Sequence, residues 1–308
     1  MREVVIVMDF LKRYPIPIAG LILALFALGN LVQSFSNEAR LALGVIGLIL
    51  YIPYLLKVLI LNAKLSEPLS NPVAASVFPT FTMATMLLAG YVKPYCHECA
   101  SIIWYAGVIG HALLIVWFTV NFVAKGFGIK KVFPSWFIVY VGIAVASVSA
   151  PVTGMLNIGQ YAFWFGLVTY ICLLVIVCYR VWFVGEIPAP AMPTTVIFAA
   201  PASLLLAGYM VSFPEKNPAM VYALLVLSVF FWIVGIIYFI RTFRGAFMPS
   251  HSAFTFPLVI SAIAVKMSAG FTGYSLQGTL CDIQTVIAAV IVLWVLARYV
   301  MFIFAGAK

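Results

Sequence analysis

The stretch Pro249-Ser250-His251-Ser252-Ala253-Phe254-Thr255-Phe256-Pro257 opens an apolar segment with one proline and interrupts it eight residues later with another. A proline inside a helix removes a backbone hydrogen bond and bends the helix. The same device recurs upstream. Prolines open every second apolar segment at Pro15, Pro72, Pro134, Pro193 and Pro249, with intervals of 57, 62, 59 and 56 residues. That period is the length of two membrane-crossing helices and two short connections, so the chain reads as one helical hairpin repeated five times. In four copies a second breaker follows the opening proline, at Pro79, Gly142, Pro201 and Pro257, offset by 7, 8, 8 and 8 residues. A general enrichment of proline in membrane helices accounts for one or two such residues, not for four at a common depth. We read these four positions as kinks facing a pore.

Composition agrees with a membrane-embedded chain. Of 308 residues, 65% are apolar and 8% charged, where a soluble domain carries about 25% charged residues. Spans are read at roughly 15–34, 41–63, 72–92, 100–124, 134–155, 158–183, 193–213, 218–241, 251–273 and 282–305. The expectation is an all-α integral membrane fold of ten helices. It forms a single transmembrane domain over residues 1–308, with no soluble domain. The formal charge of +9 takes its meaning from placement across the loops. With the N-terminus inside, thirteen cations are cytoplasmic: Arg2, Lys12, Arg13, Lys57, Lys64, Lys125, Lys130, Lys131, Arg180, Arg241, Arg244, Arg298 and Lys308. Only Arg40, Lys93 and Lys216 are outside. This positive-inside bias places both termini in the cytoplasm and the protein in the inner (plasma) membrane, and it leaves no need for a nucleic-acid partner.

The two helices of each hairpin differ in kind. Odd helices are rich in small and hydroxylated residues, as in Ser76 to Thr85, Gly142 to Thr153, Thr194 to Ser203 and Ser252 to Ser268; even helices such as Ala219 to Ile240 and Thr285 to Phe304 are bulky and apolar. Small residues allow close approach and bulky ones suit lipid, which puts odd helices inside and even helices outside. Every hairpin starts on the same side, so the five copies are related by an axis along the membrane normal, an arrangement that favours a central pathway.

Ionisable groups within spans are few. None of the eight Asp and Glu residues lies in mid-span, which weighs against a proton-coupled carrier. His111 is expected to bond a neighbour rather than relay protons. Lys266, about two turns from the outer end of the ninth helix, is either a cation of the outer vestibule or a snorkelling side chain. Cys172 and Cys178 lie in an apolar span. Cys96 and Cys99, in Cys96-His97-Glu98-Cys99, and Cys281 are placed in outer loops, where the spacing leaves a disulfide or a metal open. One Cys pair is not a full zinc set, so no metal is assigned. His97, His111 and His251 are scattered, with no carboxylate cluster and no phosphate-binding loop around them; neither an enzyme nor a cofactor is expected.

At Ala253-Phe254-Thr255-Phe256-Pro257-Leu258 the sequence resembles the ninth-helix motif of the tellurite-resistance/dicarboxylate transporter family, which includes bacterial TehA and the plant guard-cell slow anion channels. Pro17 to Leu21, Asn71-Pro72-Val73, Pro134-Ser135 and Ala199-Ala200-Pro201-Ala202 agree with it. The resemblance implies five odd helices around a central pore, even helices facing lipid, and a homotrimer with one pore per protomer. It also implies that Phe256 is the gate, a ring plugging the pore at mid-membrane. Lys266 has no counterpart in that motif. The function so implied is a passive channel for small monovalent anions such as chloride and nitrate. The alternative is a carrier or exporter of C4-dicarboxylates, tellurite or sulfite.

Overall fold

The computed structural model describes residues 2–61 and 65–305. Lys64 and Lys308 of the charge pattern lie outside the described residues. The described chain is helical throughout. Eleven elements carry the architecture: α1 (Arg2–Arg13), α2 (Ile18–Val32), α3 (Asn37–Ile60), α4 (Pro72–Val92), α5 (His97–Ala124), α6 (Gly142–Val152), α7 (Leu156–Val184), α8 (Ala189–Ser212), α9 (Pro218–Thr242), α10 (Pro249–Thr272) and α11 (Ser275–Phe304). Eight of these are long and apolar enough to cross a membrane, and the pair α1–α2, bent by 85°, makes a ninth at most.

The sequence reading of ten uniform spans is corrected at two elements. The fifth expected span is short pieces: a turn at Trp136–Tyr140, a 3-10 turn at Gly142–Ala144, one helical turn at Val145–Ser149 and a 3-10 turn at Ala150–Val152. Gly142 and Pro151 explain the breaks. A Cβ on Gly142 would lie 2.8 Å from Met83 Sδ and 3.0 Å from His111 Cε1, and Pro151 has no N–H for the ladder. The first expected span begins late because Pro15 and Pro17 impose tight turns, with Ile18 N–H on Pro15 O and Gly20 N–H on Pro17 O. The bend between α1 and α2 is tied by Lys57, whose buried ammonium donates to Lys12 O at 3.1 Å and Tyr14 O at 2.6 Å. Those carbonyls end α1, where a cation meets the negative end of the helix dipole.

Helix starts follow local chemistry. Ser36 caps α3 by accepting Ala39 N–H at 3.0 Å. Asn71 and Asn217 cap α4 and α9, each with proline at the first helical position. Pro193 does not open its helix as expected; α8 starts at Ala189, after Pro188, and runs as a 3-10 helix to Ala199.

Burial sorts the helices into two kinds. In α4, α8 and α10 between 72 and 89% of the span is buried, against 22 to 33% in α3, α5, α7, α9 and α11. The buried elements touch in sequence: α2 packs on α4, α4 on α6, α6 on α8, α8 on α10, and α10 returns to α2. Each exposed helix covers its own buried partner, and α11 also reaches α2. Glycines allow these approaches. On α5, a Cβ at Gly107 would stand 2.7 Å from Met86 Cγ and 3.1 Å from Thr82 O of α4.

Gly107→Val should therefore destabilise the protein by about 1–3 kcal/mol through overpacking. Gly270, where an added Cβ would meet nothing within 4 Å, should accept alanine without loss. Thermal unfolding of both variants in one detergent checks the contrast; equal melting curves would remove Gly107 as a packing determinant.

Candidate transmembrane pathway

Two cavities lie along the axis enclosed by the buried helices. The larger, about 770 Å³, runs from Asn71, Lys130, Lys131 and Met248 at one end to Met83, Gly142, Leu204 and Phe256 at depth. The smaller, about 330 Å³, runs from Asn30, Gln33, Lys266 and Met267 to Leu204 and Phe256. Leu204 and Phe256 are the residues common to both linings. Both border each space, and both are nearly inaccessible, at 2% and 6% exposure. The setting of Phe256 differs from that of Phe254 two residues earlier. Phe254 packs in an aromatic group, with ring centroids 5.0 Å from His251 and 5.2 Å from Phe239. One ring is held by neighbours; the other borders empty space on two sides.

The local backbone explains this placement. Residues Pro249–Phe254 form a 3-10 helix and Phe256–Thr272 an α-helix, with Thr255 between them at φ −88°, ψ −78°. A change of helical period at one residue turns the side chains that follow it relative to those before it. Thr255 fixes the junction: its hydroxyl donates to Ser252 O at 2.6 Å and lies 3.3 Å from Gly20 O of α2. Glycine suits that close approach, because a Cβ at Gly20 would sit 3.2 Å from Ser252 Oγ.

Of the four kink residues, Gly142, Pro201 and Pro257 line the larger cavity; Pro79 does not, although its neighbours Thr80 and Met83 do. The carbonyls around the kinks find side-chain donors. Thr82 Oγ1 donates to Pro79 O at 2.8 Å and pairs with His111 Nδ1 at 2.8 Å, while His111 Nε2 meets Val139 O at 3.1 Å. If Thr82 gives its proton to Pro79 O, Thr82 Oγ1 can still accept a proton from Nδ1; if it gives it to Nδ1, Nε2 carries the proton that reaches Val139. His111 is fully buried and links Thr82 of α4 to Val139, just before α6. Ser203 Oγ donates to Ala199 O at 2.7 Å, and Ser228 and Ser261 gather on it at 2.7 and 3.0 Å. Sequence reasoning missed this serine group, because three hydroxyls from α8, α9 and α10 share no spacing along the chain.

Lys266 stands at the rim of the smaller cavity. Its ammonium donates to Leu31 O at 2.7 Å and Ser34 Oγ at 2.5 Å and lies 5.3 Å from the Phe35 ring centre. Lys130 and Lys131 stand at the mouth of the larger cavity, and no Asp or Glu among the described residues lines either space. Walls of this kind are short of fixed negative charge. Cys96 and Cys99 form a disulfide. Cys281 is not in a loop as expected: α11 starts at Ser275, earlier than the sequence reading placed it, and buries Cys281 against Ala262 O. Among the described residues no three His, Cys, Asp or Glu side chains form a metal-binding group.

A family model described as voltage-dependent anion channel matches residues 14–302. No curated protein matches the chain.

Replacing His111 with leucine should cost about 1–3 kcal/mol, the penalty for stranding buried polar partners, while glutamine, which retains a donor and an acceptor, should cost less. Chemical denaturation of both variants in detergent tests this; equal stabilities for leucine and wild type would show that the bridge contributes nothing.

Proposed function

The chain belongs to the voltage-dependent anion channel family, which takes in the tellurite-resistance/dicarboxylate transporters and slow anion channel homologues, and from that membership we propose that it is a passive anion channel closed by Phe256 at mid-membrane. Members of this family are channels and transporters rather than enzymes. In this reading the ten membrane-crossing elements are five hairpins related by an axis along the membrane normal. α2, α4, α6, α8 and α10 surround the pore, with the short stretch before α6 completing the third inner helix. The protein is a single transmembrane domain in the inner (plasma) membrane, with both termini cytoplasmic, and three protomers assemble with a pore in each.

One observation carries the gate: Phe256, with Leu204, is shared by the two cavity linings. An ion passing from one space to the other has to displace the ring or shed its water against it, and an apolar constriction opposes both. The kink at Pro257 gives the ring a route aside, since a helix without that hydrogen bond bends easily. Selectivity follows from the walls. Lys131 at one mouth, beside Lys130 whose charge is met by Glu186 at 3.3 Å, and Lys266 at the other raise the local concentration of anions. The interior is mostly apolar, with Thr80, Thr194, Ser250 and Ser252 as the hydroxylated residues of the larger cavity, and such walls offer weak contacts, suited to chloride or nitrate in transit and not to tight binding. Lys266 shares its charge with Leu31 O and Ser34 while standing at the rim, which favours the vestibule role over a snorkelling one. Among the described residues no carboxylate lines either cavity, which weighs against proton coupling in the alternative, a carrier or exporter of C4-dicarboxylates, tellurite or sulfite.

In planar bilayers Phe256→Ala should raise anion conductance at least about tenfold, equivalent to removing about 1.4 kcal/mol of barrier. Unchanged current would take Phe256 out of the gate. Reversal potentials in mixed chloride, nitrate and malate rank the anions, and malate uptake that stops when a proton gradient collapses would replace the channel by a carrier. Lys266→Gln should lower current carried inward to the smaller cavity about two- to fivefold at low salt, with the difference shrinking as salt screens the charge. A change that is independent of ionic strength would assign Lys266 to packing.

A further inference from the structure

The Cys96–Cys99 disulfide spans the first turn of α5. Cys96 is the N-cap of that helix, with extended backbone at φ −151°, ψ 100°, and its Sγ accepts the backbone N–H of Cys99 at 3.2 Å. Cys96 is half-buried and Cys99 exposed. The bridge encloses only His97 and Glu98. A structural disulfide restrains the unfolded chain more as its loop grows, and this loop is among the shortest a disulfide can close. The same turn is already held by Ala100 N–H on Cys96 O at 3.0 Å, so the bond adds little restraint that the backbone lacks. By contrast, Cys172, Cys178 and Cys281 are free thiols on apolar helices.

We propose that Cys96–Cys99 is a redox-active thiol–disulfide exchange site, reduced by exposed thiols and reoxidised by disulfides. Two sulfurs in a Cys-X-X-Cys spacing at the start of α5 are placed for that chemistry, because a thiolate at a helix N-terminus is stabilised by the dipole and by the N–H directed at it. The accessible sulfur is Cys99. An incoming thiolate attacks Cys99 Sγ, the Cys96–Cys99 bond breaks, and the electron pair leaves on Cys96, whose charge meets the Cys99 N–H. The better stabilised thiolate is the faster leaving group. A second thiolate then attacks the sulfur of the first reductant molecule in the mixed disulfide. Cys99 is released and takes a proton from water. Two electrons have moved: two thiols have become one disulfide, and Cys96–Cys99 has become two thiols. In the reverse direction the Cys99 thiolate opens the external disulfide, releasing one thiolate and forming the mixed disulfide, and the Cys96 thiolate then attacks Cys99 Sγ and expels the second. Glu98 in the same turn opposes a thiolate there and His97, when protonated, favours one; the N–H and the helix terminus are fixed in either case.

The purified full chain in detergent, equilibrated at pH 7 across glutathione buffers of increasing reducing ratio, acid-quenched and labelled with a maleimide polymer, tests the proposal. Two thiols beyond Cys172, Cys178 and Cys281 should appear together within that range while tryptophan fluorescence stays native. In the reduced protein, limiting iodoacetamide followed by peptide mass spectrometry should modify Cys96 at least about tenfold faster than Cys99, and Cys96→Ser should abolish the fast-reacting thiol. A pair that stays oxidised through every ratio, or that opens only when the protein unfolds, would make the bridge structural and overturn the proposal. Equal or faster alkylation of Cys99 would overturn the assigned roles.

Discussion

A helix broken in the middle of a membrane releases carbonyl groups that have no water to turn to, and this constraint shapes the protein. Against hydrocarbon each unpaired group would cost several kcal/mol. The buried helices are the ones that break, at Pro79, Gly142, Pro201 and Pro257, and the covering helices run long over them. Thr82 with His111, Ser203 with Ser228 and Ser261, and Thr255 answer the carbonyls at or beside these breaks. Much of the polar content of the inner helices is therefore structural; the hydroxylated residues that line the larger cavity are others, Thr80, Thr194, Ser250 and Ser252.

The same constraint separates two kinds of aromatic side chain. Phe254 and His251 of α10 stack against Trp294 of α11. Phe256 lies past the change from 3-10 to α-helical winding and borders both cavities.

Periodicity makes much of this legible in advance. The proline spacing, the small-residue bias of alternate helices and the repeated second breaker require only chain order, and the burial of α4, α8 and α10 agrees with them. The Phe256–Pro257 pair is visible through its motif. Tertiary contacts are not. The serine group joins three helices with no shared spacing, and the Lys57 tie depends on an 85° bend that Pro15 and Pro17 only hint at. Pro193 misleads because a 3-10 helix tolerates proline early in its run, where an α-helix would have to start at it. Cys281 reads as a loop residue because Asp282 follows it and a charge commonly marks the end of a span; α11 instead carries that aspartate in its early turns.

The bond between Thr255 and Gly20, like that between Lys266 and Leu31, joins residues 235 positions apart. Neighbouring hairpins can associate as they emerge from synthesis, since each contacts the one before it. The seam between α10 and α2 cannot form until almost all of the chain exists. Such distant pairings are the slow ones in assembly. Phe256 is carried by the helix that makes this seam, so a chain halted before α10 would lack both the contact with α2 and the ring shared by the two cavity linings.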